Sequence, residues 1–365
     1  MRGSPRWAEN AYIFAMLPRD NALPNIEDVA RAAGVSTATV SRALNKPESV
    51  REPLRSKVLQ AISKLGYVPH AGARALKLQR SGTVGAVFPT IDNAIFAKAI
   101  DALQQRLADA GLQLLIATSG YDPEIEARQA LNLVTRGADA LVLVGVGQNA
   151  DLLHRLRQRE LPTVHTMVYP APPGLVCVGF DNAGAMGQAV RYLLDLGHRR
   201  IAMLAGVSSR NDRAAARIEG VQTALNKARL KLAPQHLVER PYALADAREG
   251  LRVLMRTQPT PTAIVCGNDV LALGALLEAQ KLGIAVPQDL SIVGFDDLEM
   301  ARHVHPALTT LHVPTQPLWH TVADRVIAAL EQAPVQAATE VEVELVVRES
   351  TGPVPTGSVR TARRR

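Results

Sequence analysis

The chain has little aromatic content. Five Phe, six Tyr and two Trp make only 4% of 365 residues. Only two cysteines occur, Cys177 and Cys266. Both lie in strand-like apolar runs and read as buried free thiols, which excludes a disulfide scaffold and a cysteine-based zinc site. No apolar run reaches the length of a membrane span. Ala11–Leu17 is too short for a convincing export-signal core, so a cytoplasmic location is expected, with no membrane partner. Enzyme signatures are missing too. Gly145-Val-Gly147-Gln-Asn-Ala lacks the third glycine of a dinucleotide fingerprint and follows the third strand rather than the first. No GxSxG, HExxH or P-loop is present. His303, His305 and His312 have no helical i,i+4 pair and read as surface or capping residues rather than metal ligands. No cofactor, no metal and no catalytic residue is expected.

The charge is uneven. Of the formal +7, residues 25–80 carry ten Lys/Arg against four Asp/Glu, residues 1–24 three against two, and residues 81–365 twenty-eight of each. A basic segment on a neutral body is the electrostatic footprint of a phosphate-binding module. Within it, Asn25 is a good N-cap with Glu27 and Asp28 in the first turn, and Ile26, Val29, Ala30 and Ala33 recur at helical spacing. Gly34 supplies a left-handed turn. Ser36 then caps a second helix with inner face Val40, Ala43 and Leu44 and outer face Thr37, Ala38, Ser41, Arg42 and Asn45. This is the helix-turn-helix pattern, with a plain helical hairpin as the bland alternative. A third helix opens at Pro53 and ends at Leu65 before Gly66.

The run Val29-Ala30, Ala33-Gly34-Val35-Ser36, Thr39-Val40-Ser41-Arg42, Asn45, Gly66-Tyr67, Pro69 and Ala73-Arg74-Ala75-Leu76 resembles the headpiece and hinge of the LacI family of bacterial repressors. The resemblance extends to about Arg348. It implies an α/β protein with a three-helix helix-turn-helix headpiece (25–69), a hinge helix and linker (70–80), and a two-lobe effector domain with parallel sheets like a periplasmic binding protein (81–350). Residues 1–24 have no counterpart in the family and are expected to be disordered, with Met16 an alternative start. The basic tail 351–365 is expected to be disordered as well.

The resemblance further implies a ligand-controlled regulator, a repressor by default, acting as a homodimer on a pseudo-palindromic double-stranded operator, with a tetramer left open. Thr37 and Ala38 would face base edges, and Arg42 would read guanine or hold phosphate. Ser36, Thr39, Ser41 and Asn45 would bind phosphates, with Ile26 added from the first helix. Ala73, Arg74, Leu76 and Lys77 would form the hinge contact, Leu76 as a minor-groove wedge.

Beyond Gly82, short apolar runs alternate with helical ones, the mark of parallel sheets covered on both faces. The strands are read at Thr83–Phe88, 112–117, Ala140–Val144, 162–165, 201–204, Ala263–Cys266 and 291–295. Lobe one is expected over about 82–180 and 314–332, and lobe two over about 181–310 and 338–350, including a strand at 341–347. Ligands of such sheets sit beyond the carboxyl ends of strands. The strand-end candidates include Asp181-Asn182, Asn268-Asp269 and Asp296-Asp297; Asp181, Asp269 and Asp297 could equally be helix N-caps, the favoured reading for the latter two. By resemblance, Asp92, Ile95 and Phe96 from lobe one and Arg217, Tyr242, Asn268 and Asp296 from lobe two would hold a small sugar, sugar acid or sugar phosphate. The rivals are a sugar-binding protein with a degenerate headpiece, which would lack sequence-specific DNA binding, and an enzyme on the same fold, for which no nucleophile or metal constellation is found.

Overall fold

A computed structural model describes residues 24–68 and 80–355. The expectations for Ala73, Arg74, Leu76 and Lys77, the disorder expected through residue 23 and the tail beyond residue 355 lie outside these residues; the disorder expected from residue 351 is corrected at Thr351, Gly352 and Val354, which hydrogen-bond to Thr309, Ser291 and Leu196. The chain divides into two compact units, 1–81 and 82–365.

In the first unit, α1 (Ile26–Ala33), α2 (Thr37–Asn45) and α3 (Glu52–Leu65) pack around Val29, Ala30, Val40, Ala43, Val58, Ala61 and Tyr67, all buried. Asn25 and Asp28 form a reciprocal capping box. The Asn25 Oδ1 accepts from Glu27 N at 2.8 Å and Asp28 N at 3.0 Å, and the Asp28 carboxylate accepts from Asn25 N at 3.0 Å. This satisfies orphan amides at the helix start. Gly34 at φ 66° ends α1 in the left-handed conformation that costs a glycine least.

The second unit holds two six-stranded sheets of the same winding. The first runs β11-β5-β4-β3-β1-β2, from β1 (Thr83–Phe88), β2 (Gln113–Thr118), β3 (Ala140–Val144), β4 (Thr163–Thr166), β5 (Val176–Gly179) and β11 (Ala338–Glu340). The second runs β12-β10-β9-β8-β6-β7, from β6 (Ile201–Gly206), β7 (Leu237–Arg240), β8 (Ala263–Cys266), β9 (Ser291–Asp296), β10 (Thr309–His312) and β12 (Glu344–Val346). Pairing is parallel except β10 with β12. Every residue of β3 is buried, as a continuous apolar run demands in a sheet covered on both faces. Each sheet reverses strand order beside its first strand, between β1 and β3 and between β6 and β8. Such a switch opens a crevice at the strand ends.

Helices α4 (Ala94–Asp109), α5 (Pro123–Thr135) and α6 (Ala150–Gln158) follow the first three strands, and α11 (Thr315–Leu330) joins them by packing on α4. The second lobe carries α7 (Asn182–Asp195), α8 (Asp212–Lys227), α9 (Leu244–Met255) and α10 (Asp269–Lys281). The structure corrects the reading of residues 338–350 as second-lobe chain with one strand at 341–347. Ala338–Glu340 pairs with β5 in the first sheet, and only Glu344–Val346 joins the second. The apolar run spans a crossing between sheets, which periodicity cannot register. The short β7 also escaped the strand reading, since Leu-Val-Glu-Arg is only four residues with two of them charged.

Candidate functional site

Two surfaces carry the residues singled out above. On α2, Ser36, Thr37, Ala38, Arg42 and Asn45 are exposed, and Thr39 and Ser41 half-buried. Ser36 Oγ accepts from Thr39 N at 3.2 Å and lies 3.0 Å from Thr39 Oγ1. No acidic residue occupies the first turn, so the positive end of the helix dipole is left to an external anion. Arg42 Nε donates to Ala38 O at 3.3 Å and Asn45 Nδ2 to Ser41 O at 2.8 Å. Among the described residues, these side chains find partners along their own helix. Ile26 is half-buried against the three-helix core and so has less surface to offer than the α2 residues.

The second surface is the cleft between the lobes of the body, a narrow cavity with about 30 Å³ of water-accessible space. Six of the seven sequence candidates line it. Ile95 and Phe96 come from the start of α4, and Arg217, Tyr242, Asn268 and Asp296 from the far lobe. Asp92 does not: it is exposed, while its neighbour Asn93, the N-cap of α4, faces the cavity. Only the cap geometry decides between these adjacent residues.

Arg217 lies at the base. Its Nε donates to Asn182 Oδ1 at 2.9 Å and its Nη1 to Gly267 O at 2.6 Å, and the guanidinium sits 3.6 Å from the Phe295 ring centre. Burial holds its pKa below the usual arginine range, with the Asp296 carboxylate opposing that shift. Asp296 in turn is pushed up to about 7 by burial, with Arg217 pulling it back. A buried pair of this kind supplies a donor fork and an acceptor whose proton is available near neutrality. Asn268 caps α10 through Leu271 N at 3.0 Å. Among the described residues its amide nitrogen donates to nothing.

Sequence reading missed Tyr121, Met167, Asn211 and Arg213, which complete the wall. Tyr121 and Tyr242 meet at 6.0 Å between ring centres, tilted 45°, one from each lobe. Burial raises both phenols above the ordinary value. Gly206 makes room for Tyr242, since a Cβ there would strike the phenol ring. Tyr121 (φ 63°), Met167 (φ 64°) and Asp296 (φ 114°) are non-glycine residues at positive φ, and all three face the cavity. Strained backbone of this type gathers at ligand sites. The signal for Tyr121 was available, because Gly120-Tyr-Asp-Pro123 follows β2 just as the other candidates follow their strands.

Two expected helix caps are something else. Asp181 does cap α7, accepting from Gly184 N at 2.9 Å. Asp269, however, turns inward because Asn268 holds the cap position. It accepts from Leu298 N at 2.7 Å and Thr310 Oγ1 at 2.6 Å, and burial pushes it up to about 8. Asp297 caps nothing and gathers Arg348 at 2.6 Å, His312 at 3.0 Å and Arg302 at 3.6 Å.

A helix-turn-helix headpiece joined to a two-lobe body with a cleft at its switch points defines a ligand-responsive DNA-binding protein. Comparison agrees at every level. Residues 25–70 match the bacterial regulatory proteins of the lacI family, and residues 190–351 the periplasmic binding protein-like domain. The HTH-type transcriptional repressor PurR of Klebsiella pneumoniae (strain 342) is 31% identical over 339 residues, covering 91% of this chain and 98% of that repressor. PurR of Salmonella paratyphi B is 32% identical over the same length. The structure of the lac repressor dimer bound to operator and the anti-inducer ONPF matches with a TM-score of 0.81 at 25% identity, covering 91% of this chain and all of the other. A CelR–cellobiose complex matches at 0.65 and 27%, covering 90% and 99%.

The chain belongs to the LacI family. It is a DNA-binding transcriptional repressor of that family and not an enzyme. Among the described residues, no helix is long and apolar enough to cross a membrane, and no group of three His, Cys, Asp or Glu is placed to hold a metal ion.

Proposed function

We propose that this repressor is controlled by a small carbohydrate-like effector bound between the lobes, and that it acts in the cytoplasm as a homodimer on a pseudo-palindromic operator. The observation that carries the effector reading is the base of the cleft. There a buried Arg217 over Phe295 faces Asp296, with Asn93, Asn211 and Asn268 around it. Carboxyl, amide and guanidinium groups at strand ends match paired hydroxyls. The tyrosines touch each other and so form one apolar wall rather than a slot, which suits one face of a sugar ring. The similar CelR is described in complex with cellobiose, which adds support for a saccharide.

On DNA, two α2 helices enter successive major grooves. Thr37 and Ala38 contact base edges, Arg42 a guanine or a phosphate, and Ser36, Thr39, Ser41 and Asn45 the backbone, with Ile26 at the margin. Ala73, Arg74, Leu76 and Lys77 form the hinge that occupies the minor groove between the half-sites. The similar lac repressor is described as a dimer on operator. Exposed Ile91 and Ile116, the latter in the edge strand β2, lie with Ala97 and Ile100 on one apolar face that is offered to the second copy. Effector binding shifts this pairing and with it the spacing of the headpieces.

Thermal unfolding against sugars, sugar acids and sugar phosphates tests the effector class. A ligand at a hundredfold excess over its Kd stabilises the folded state by about 2.7 kcal/mol. One strong hit that also alters operator affinity is the expected result. A flat panel overturns the carbohydrate reading.

A further inference from the structure

Lobe one contains a cavity of its own, away from the interlobe cleft, where α6 faces the strands β4 and β5. It has about 260 Å³ of water-accessible space. Its walls are Leu153, Leu156, Leu161 and Leu175 with Val176, and His165, only 1% exposed, lies among them. Arg157 and Glu160 are exposed at its mouth.

His165 gives the cavity its one polar feature. Burial holds the imidazole below its ordinary pKa, with the bond to Gly145 opposing that shift, so the ring is neutral and carries a single proton. Its Nδ1 lies 3.1 Å from Gly145 O. A carbonyl only accepts, so the proton is on Nδ1 and Nε2 is left as a bare acceptor. Among the described residues Nε2 has no partner, and a native fold seldom leaves a buried acceptor unmatched. A water takes roughly 30 Å³, whereas a dry leucine-lined cavity of about 150 Å³ takes benzene. The space therefore suits a ring better than one water. Arg157 and Glu160 bring one charge of each sign, which favours neither an anion nor a cation.

We propose that this cavity is a second ligand site, distinct from the interlobe cleft, which takes a phenol or a comparable neutral ring alcohol. The hydroxyl donates to His165 Nε2 and the ring packs on the leucines. The site reaches the lobe interface through one peptide unit. Gly145 O accepts from His165, and Val146 N–H of the same amide donates to Asp212 Oδ2 of the far lobe at 2.6 Å. Hydrogen bonds in such a chain polarise one another, so a hydroxyl on Nε2 strengthens the contact that holds the lobes together.

The test is calorimetric titration of the full-length protein with phenol and with toluene, its counterpart without a donor, alongside the imidazole nitrogen NMR signals of His165. Phenol is expected to bind at least tenfold more tightly than toluene and to move the Nε2 signal. His165→Asn, whose amide can still donate to Gly145 O, should bring phenol down to the level of toluene. Leu153→Trp, at a half-buried position, should fill the cavity and abolish binding of both. Phenol should also change operator affinity at least threefold. Asp212→Ala should remove that change and leave phenol affinity within threefold. Toluene binding as tightly as phenol, an unmoved Nε2 signal, or phenol binding untouched by both lobe-one variants overturns the site. Phenol that binds as expected without altering operator affinity overturns the coupling alone.

Discussion

The DNA-facing helix and the interlobe cleft are built on opposite plans. Everything α2 presents comes from ten consecutive residues, Ser36 to Asn45, and among the described residues their polar groups find partners along their own helix. The cleft draws on residues from Asn93 to Asp296, and most of its polar groups are buried. An exposed recognition face leaves its groups solvated until a partner arrives. A buried cleft must satisfy or suppress each charge in place, and this is why its ionisable groups shift so far.

The largest effect is expected from Arg217→Leu. It removes a buried charge and leaves Asn182 Oδ1, Gly267 O and Asp296 without their partner. Loss of one member of a buried charged pair costs about 2–5 kcal/mol. Calorimetry should therefore show effector affinity reduced ~30-fold or more; a loss below threefold would remove Arg217 from the site. Next is Arg42→Ala. Electrophoretic mobility shifts should show operator affinity down by about 1–3 kcal/mol if Arg42 reads a base. If it holds a phosphate instead, the loss is uniform across sequences and the salt slope drops by about 1.

A third expectation concerns pH. Asp269 (about 8), Asp296 and Glu126 (about 7 each) titrate well above ordinary carboxyls. Between about pH 4 and 7 the folded body holds protons that the unfolded chain has released. Stability from these groups is therefore full at low pH and lost as pH rises toward 7–8. The melting temperature of the body should fall between pH 6 and pH 8, by about 2–4 °C per kcal/mol, and Asp296→Asn should flatten the slope. A curve that rises over that range would contradict the buried assignment.

The smallest effect sharpens the comparison most. Asp92→Ala, at an exposed position, should alter effector affinity by no more than about twofold, within the ~0.5 kcal/mol usual for surface changes. Asn93→Ala should exceed it clearly. If the two reverse, the cleft is drawn one residue out of place.

Legibility follows the same division. The capping box at Asn25, the turn at Gly34 and the cap at Ser36 are interactions within three or four residues, so the helix-turn-helix stood open in the sequence. Strand-end reasoning reached Ile95, Phe96, Asn268 and Asp296 because a doubly wound sheet directs its loops to one edge; Arg217 and Tyr242 came from the family resemblance alone. It failed where two neighbours compete for one role. Asn93 took the cap and the cavity while Asp92 pointed to solvent. Asn268 took the cap and turned Asp269 inward.

By itself, then, the sequence determined the basic three-helix headpiece, the two α/β lobes and the strand ends that bear the cleft, because each depends on local spacing and the burial of apolar runs. Only the tertiary structure decided that Tyr121 meets Tyr242, that Arg213 reaches the Val144 carbonyl, and that Ala338–Glu340 returns to the first sheet. Those contacts join residues tens to more than a hundred positions apart. Their partners are chosen by how sheets pair and lobes close, which no pattern along the chain records.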